Sequence, residues 1–246
     1  TTGLDPAEER LIELGAVRLR VNPVTGQLLS VDGAISWYDD PGRPIPAFIT
    51  DLTGITDDDV SGQFIDDLAL DAWLGHDPVM IAHNAAFDRP FFERRFPTLS
   101  NYRWGCSLKE VDWRLLGFEG SKLEYLLLKC GYFYTGHRAE TDCLALAQLL
   151  QAHPEAVLQL LRSVESKTVK IQAFGSPFEV KDVLKANGYQ WFGGDDHTFK
   201  HWWTTVSESD FPAAVEFLDN LPGYSSERAQ ITWQDARTRF IESGDQ

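Results

Sequence analysis

The stretch Leu11-Ile12-Glu13-Leu14-Gly15-Ala16-Val17-Arg18-Leu19 is apolar on nearly both faces, and no other feature constrains the fold as strongly. A strand with one wet face alternates, whereas a strand without alternation must be covered on both sides. Asn22-Pro23 and Thr25-Gly26 turn the chain into a second strand around Leu28 to Trp37, so the two should form an antiparallel pair. A Pro-rich loop from Pro41 to Pro46 leads to short helical segments near Phe48 to Leu52 and Phe64 to Leu74. Pro78 to Ala82 is a short apolar strand, followed by a helix beginning at Phe87 with Pro90 tolerated in its first turn. A further strand is expected near Trp104 to Leu108, then a helix from Lys122 to Cys130 that stops at Gly131. Cys143, Leu146, Ala147 and Leu150 fall at helical spacing and define one more amphipathic helix. A hairpin followed by alternating strands and helices indicates an α/β sandwich built on a mixed sheet.

The composition changes around Pro154 to Ser166, which is expected to be a polar helix and linker. Beyond it, Thr168 to about Phe240 holds its own aromatics, among them Tyr189, Trp191, Trp202, Trp203 and Trp233, enough for a second, small α+β core. The expected organisation is therefore 1–152, a linker over 153–167, and an accessory domain over 168–246. Three cysteines, Cys106, Cys130 and Cys143, lack metal-ligand spacing and are expected to be reduced core residues. No apolar run reaches membrane-spanning length and no signal peptide is visible, so the expected location is cytoplasmic. A formal net charge of −15 argues against a broad basic surface that coats nucleic acid, though not against a local grip on a strand end.

Two runs put polar groups at the ends of apolar elements. His83-Asn84-Ala85-Ala86-Phe87-Asp88 follows a strand, and His137-Arg138-Ala139-Glu140-Thr141-Asp142 opens the amphipathic helix. Asp142 sits at the edge of the buried stripe, where a carboxylate costs several kcal/mol, on an order-of-magnitude view, unless something positive such as a divalent metal meets it. His137 fits the loop or cap before that helix. Taken singly, each has an ordinary alternative: Asp88 as a helix cap, Asn84 as a turn residue, His83 as a satisfied strand-end histidine, His137 to Asp142 as a solvated first turn.

In combination the runs H-N-x-x-F-D and H-x-x-x-x-D resemble the second and third motifs of the DnaQ-like 3′–5′ exonucleases, in the subgroup with histidine five residues before aspartate. Thr1-Thr2-Gly3-Leu4, Arg10 to Val17, Thr53-Gly54-Ile55-Thr56 and Lys122-Leu123 agree with that family, in order, over roughly residues 1 to 150. The resemblance implies a ribonuclease-H-like mixed sheet flanked by helices and metal-dependent removal of nucleotides from the 3′ end of single-stranded DNA. It implies two Mg²⁺ ions, with Mn²⁺ a substitute, held in part by Asp142 and Asp88, and His137 as general base. Thr1, Leu4 and Asn84 match positions that line the terminal-nucleotide pocket, and His83 could help to position substrate. A polymerase or another replication or repair protein is an implied partner.

One departure matters. The family's first motif is D-x-E-T-T-G, and the sequence starts at the first of these threonines; the resemblance puts the glutamate immediately before Thr1 and the aspartate two positions earlier. With Met80 the single methionine, an upstream segment is expected, and the chain as written is expected to be inactive or nearly so. Two competing readings are an exoribonuclease of the same family and an inert module that binds a nucleic-acid end or a partner protein. The C-terminal segment around Phe178 to Trp191 and Lys200 to Trp203 resembles a small module appended to some exonucleases; Lys181, Lys185 and Lys200 beside aromatics could meet phosphates and bases, or the tryptophans could simply be core.

Overall fold

The apolar run does form a strand. β1 (Glu13–Val21) pairs antiparallel with β2 (Leu28–Tyr38), Glu13 opposite Tyr38 and Leu14 opposite Trp37, with irregularities in register after Arg18 and Arg20. In the computed structural model, which describes residues 1–133, 136, 138–194 and 198–241, the strands that follow are parallel: β3 (Val79–Ala82) beside β4 (Arg103–Cys106). Among the described residues no ladder joins the two pairs. They share a core nonetheless, because Leu14 and Ala16 of β1 and Met80 and Ala82 of β3 pack on the same cluster as Ile35, Phe92, Phe96 and Trp104.

The connecting helices carry local stop and start signals. α1 (Ala47–Thr53) ends at Gly54, whose φ of 72° suits a left-handed C-cap. α2 (Asp57–Val60) starts with a reciprocal cap between Thr56 and Asp59, so the Asp57 to Asp59 run is a helix start. α3 (Asp67–Leu74) is capped by Asp66. α4 (Ala85–Arg95) begins two residues earlier than the sequence suggested, which leaves Pro90 inside the helix and makes Asp88 a residue of the helix body rather than its cap.

α5 (Leu123–Lys129), α6 (Ala139–Ala152) and α7 (Pro154–Glu165) pack through Leu126, Leu127, Leu146, Leu149, Ala156, Val157 and Leu160. α7 is the helix expected here, and it is packed, because Ala156, Val157, Leu160 and Val164 give it a buried face. The chain divides into Thr1–Val164 together with the segment from Arg237 onward, and Glu165–Ala236. That partition differs from the expected boundaries at both ends: 153–164 and the chain after Ala236 belong to the first unit.

The second unit runs β5 (Thr168–Phe174), α8 (Lys181–Ala186), β6 (Gln190–Phe192), β7 (His201–Ser207), α9 (Phe211–Asp219) and β8 (Ala229–Gln234). Its sheet has the order β6-β7-β5-β8 with every neighbour antiparallel, a β-α-β-β-α-β unit of split-βαβ type. Val169, Ile171 and Ala173 face Leu184 and Leu218 in its core. Tyr189, Trp202, Phe211 and Phe217 join that core, whereas Trp191 and Phe199 stay exposed. Lys181 lies 3.9 Å from the Phe178 ring centre and is taken up by that contact. No helix among the described residues is long and apolar enough to cross a membrane.

Candidate active site

The first turn of α6 rests directly on β1, and a glycine makes this close approach feasible. A Cβ on Gly15 would lie 2.2 Å from the backbone carbon of Ala139. Beside it the Cys143 thiol donates to the Gly15 carbonyl oxygen at 3.3 Å. Glu13, on the same strand, caps the helix: its carboxylate accepts from Ala139 N at 2.9 Å, Arg138 Nη2 at 3.0 Å and Ser36 Oγ at 2.9 Å. Burial would raise the Glu13 pKa, but these hydrogen bonds and the Arg138 charge outweigh it and hold the group below its ordinary value. Arg138 also donates to Tyr38 Oη at 2.7 Å. Glu13 is therefore a structural carboxylate, spent on fixing α6.

Asp142 stands in that fixed first turn, favoured there by the helix dipole. Asp88 stands in the matching turn of α4. The turn before it is strained, since Asn84 sits at φ 128° and ψ 58°, unusual for a residue other than glycine, and makes no side-chain cap bond. Asp88 keeps solvent access, yet crowding by protein around its carboxyl and the charge of Asp142 push its pKa up, to about 6. Among the described residues no arginine or lysine pairs with it. The two carboxylates are thus within electrostatic reach of each other and of Cys143, whose thiol is pushed up to about 12 by burial, then by Asp88, Asp142, Glu13 and Glu140. A mutually repelling pair of hard oxygen donors suits a divalent cation. Among the described residues no three such groups form a metal cluster, so this pair can hold an ion only in part.

The other predicted site residues divide. His137 lies outside the described residues. Thr1 is within electrostatic reach of Asp88 and Glu13, and Leu4 is 80% exposed with its side chain open to a ligand. His83 is committed elsewhere: Nδ1 meets Ser107 Oγ at 2.7 Å and Nε2 donates to the Ser121 carbonyl at 2.8 Å, and burial lowers its pKa. Its ring is a neutral brace between two loops, the satisfied strand-end alternative. Thr2 is likewise structural, buried, donating to Glu9 and accepting from Arg10 N at 2.9 Å and Arg43 at 3.0 Å. The free cysteines are Cys106, which is buried, and Cys130 and Cys143, which are partly buried. Arg138, Tyr38 and Ser36 escaped the sequence reading; nothing in their spacing links them to Glu13.

The family model described as Exonuclease, RNase_T, matches residues 1–150. The chain belongs to this family, the DnaQ-like exonucleases that its motifs resemble. Members of the family use divalent metal ions. DNA polymerase III PolC-type from Bacillus subtilis is 35% identical over 180 residues, covering 69% of this chain and 11% of that protein. The PolC-type polymerase of Listeria monocytogenes is 36% identical over 99 residues, covering 39% of the chain and 6% of the polymerase. The chain thus spans a small fraction of the length of these family relatives. Among solved structures, the zinc-bound form of an E. coli ExoI–ssDNA complex aligns with a TM-score of 0.51 over 97% of this chain and 64% of that one, at 13% identity, which is a likeness of fold.

Proposed function

We propose that this family member, in its intact protein, removes nucleotides one at a time from the 3′ end of single-stranded DNA. The observation that carries this reading is the Asp88–Asp142 pair, in which burial and then the Asp142 charge push Asp88 up, with Glu13 already consumed by Arg138 and Ala139. Asp142 would hold one Mg²⁺ ion and Asp88 a second, largely through water, with Mn²⁺ as substitute. Such ions polarise the scissile phosphate and stabilise the entering and leaving oxygens. His137 would accept the proton of the attacking water, a task suited to an imidazole near neutral pH. Asn84 and Thr1 would line the terminal nucleotide, and the uncovered Leu4 side chain would pack on its base.

DNA is favoured as substrate because the relatives include DNA polymerases of the PolC type and a fold neighbour is an ssDNA complex. The same relatives make association with a polymerase or other replication protein part of the proposal, and a cytoplasmic site of action goes with it. The test is to incubate the protein at its full natural length with 5′-labelled DNA and RNA oligonucleotides and Mg²⁺, beside His137→Ala and Asp142→Asn. A ladder shortening from the 3′ end, abolished in both variants, is the expected result. Faster trimming of RNA would move the substrate to the exoribonuclease reading, and no ladder with either would leave the inert binding module.

A further inference from the structure

The chain leaves the first unit at Val164 and rejoins it at Arg237. The returning segment is gripped by two buried arginines. Arg89, fully buried, donates from Nη1 to the Arg239 carbonyl oxygen at 2.6 Å and from Nη2 to the Arg237 carbonyl oxygen, while its Nε meets Glu93 at 2.6 Å. Arg239, itself buried, reaches Glu110 at 2.7 Å and the Ser163 carbonyl at 2.6 Å. Phe240 packs on the core with a left-handed φ of 65°, a strained conformation for a residue other than glycine that persists only where surroundings over-determine it.

These contacts converge on α4. Arg89 follows Asp88 in sequence, so the same turn shows its carboxylate to solvent and its guanidinium to the core. A second route runs from Arg239 through Glu110, whose other oxygen accepts from Cys106 N at 2.7 Å, to the Cys106 sulfur, which accepts from Ala85 N at 3.4 Å. Ala85 is the first residue of α4, directly after the strained Asn84. A buried guanidinium with its carbonyl acceptors removed is costly, so α4 can keep this position only while the returning segment is docked.

We propose that residues 237–240 act as a strap that positions Asp88, with Arg89 as the positioning residue that links strap to site. Asp88 itself would hold metal, on the reading given above; Arg89 touches neither metal nor substrate. Ser163, near the end of α7, and Arg239 of the strap are bonded to each other within the first unit.

The test uses full-length protein carrying Arg89→Lys, Arg89→Met, or a stop after Ala236. Three quantities are read: hydrogen exchange of the α4 amides, Mn²⁺ binding by electron paramagnetic resonance, and trimming kinetics. In Arg89→Met and the truncation, α4 should exchange roughly tenfold faster with α5 and β5 unchanged, and the Mn²⁺ dissociation constant should rise about tenfold or more, as for outer-shell changes generally. The KM for oligonucleotide should stay within about twofold while kcat falls, and Arg89→Lys, which keeps charge and reach, should lie between. Should Arg89→Met not fold, Arg89→Lys and Arg239→Gln carry the same comparison. Uniform acceleration across α4, α5 and α6, or wild-type exchange and Mn²⁺ binding in a folded variant, would overturn the strap. If the wild type trims nothing, the nuclease reading fails, and the α4 exchange still decides whether the strap fixes that helix.

Discussion

Glu13 and Asp88 are carboxylates within electrostatic reach of the same thiol, and their surroundings treat them in opposite ways. Around Glu13, on β1, three hydrogen-bonding residues close in, one of them an arginine, and the carboxylate stays charged below its ordinary range. Around Asp88, on α4, crowding and a second carboxylate make the charge unwelcome, and among the described residues no arginine or lysine pairs with it. Burial alone therefore does not mark a functional acid. An acid without an arginine or lysine partner beside another acid is the stronger candidate, because ligand sites are where such repulsion is commonly kept.

The comparison breaks most visibly in activity. Asp142→Asn and Asp88→Asn should each cut trimming by the intact protein by roughly a thousandfold, a loss of several kcal/mol of transition-state stabilisation, while circular dichroism stays unchanged. A gel assay that found either variant within tenfold of wild type would place the metal site elsewhere.

Glu13→Ala should act first on stability. Stranding Arg138 and the Ala139 amide should cost about 2–3 kcal/mol in urea unfolding, less than a fully buried pair because Arg138 is partly exposed. Activity would then fall through a frayed α6. A variant as stable as wild type would show that Glu13 does not hold the helix.

Opposite pH limbs sharpen the contrast. Asp88 has a raised folded pKa, so its contribution is fully present below its unfolded value of 3.8 and is lost as pH rises to about 6. Glu13 has a depressed one, so its contribution is present above 4.5 and is lost as pH falls. Relative to wild type, Asp88→Asn should gain stability toward neutral pH, of the order of 1 kcal/mol after solvent screening, and Glu13→Gln should lose it there. Urea midpoints measured from pH 3.5 to 7.5 decide the signs. The smallest effect belongs to Leu4→Ala: an exposed side chain should leave the melting temperature alone and raise KM by about 1 kcal/mol's worth, a few-fold, through lost contact with the terminal base.

Much of this was legible beforehand. β1 and β2 followed from an unbroken apolar run and its turn, α6 from a helical stripe, and the end of α5 from Gly131, with φ 83°. Motif order identified the family over the residues its model matches. Pro90 suggested a first turn, but α4 starts earlier because the chain turns sharply at Asn84, a strain that composition does not encode. His83 carried two readings, substrate positioning or a satisfied strand-end histidine, and Ser107 and Ser121 occupy both of its nitrogens.

The sequence by itself determined which segments are strands and helices, that a second small core follows the first, and which two acids stand at the starts of helices. Those properties are local: they depend on spacing within a turn or a pleat. Only the tertiary structure decided which acid an arginine and a helix amide already occupy, and that the chain after residue 236 returns to the first unit. Arg138 meets Glu13 across 125 residues and Arg89 meets the Arg239 carbonyl across 150. The energy of a buried charge depends on the partner that folding brings to it, and no periodicity along the chain records that partner.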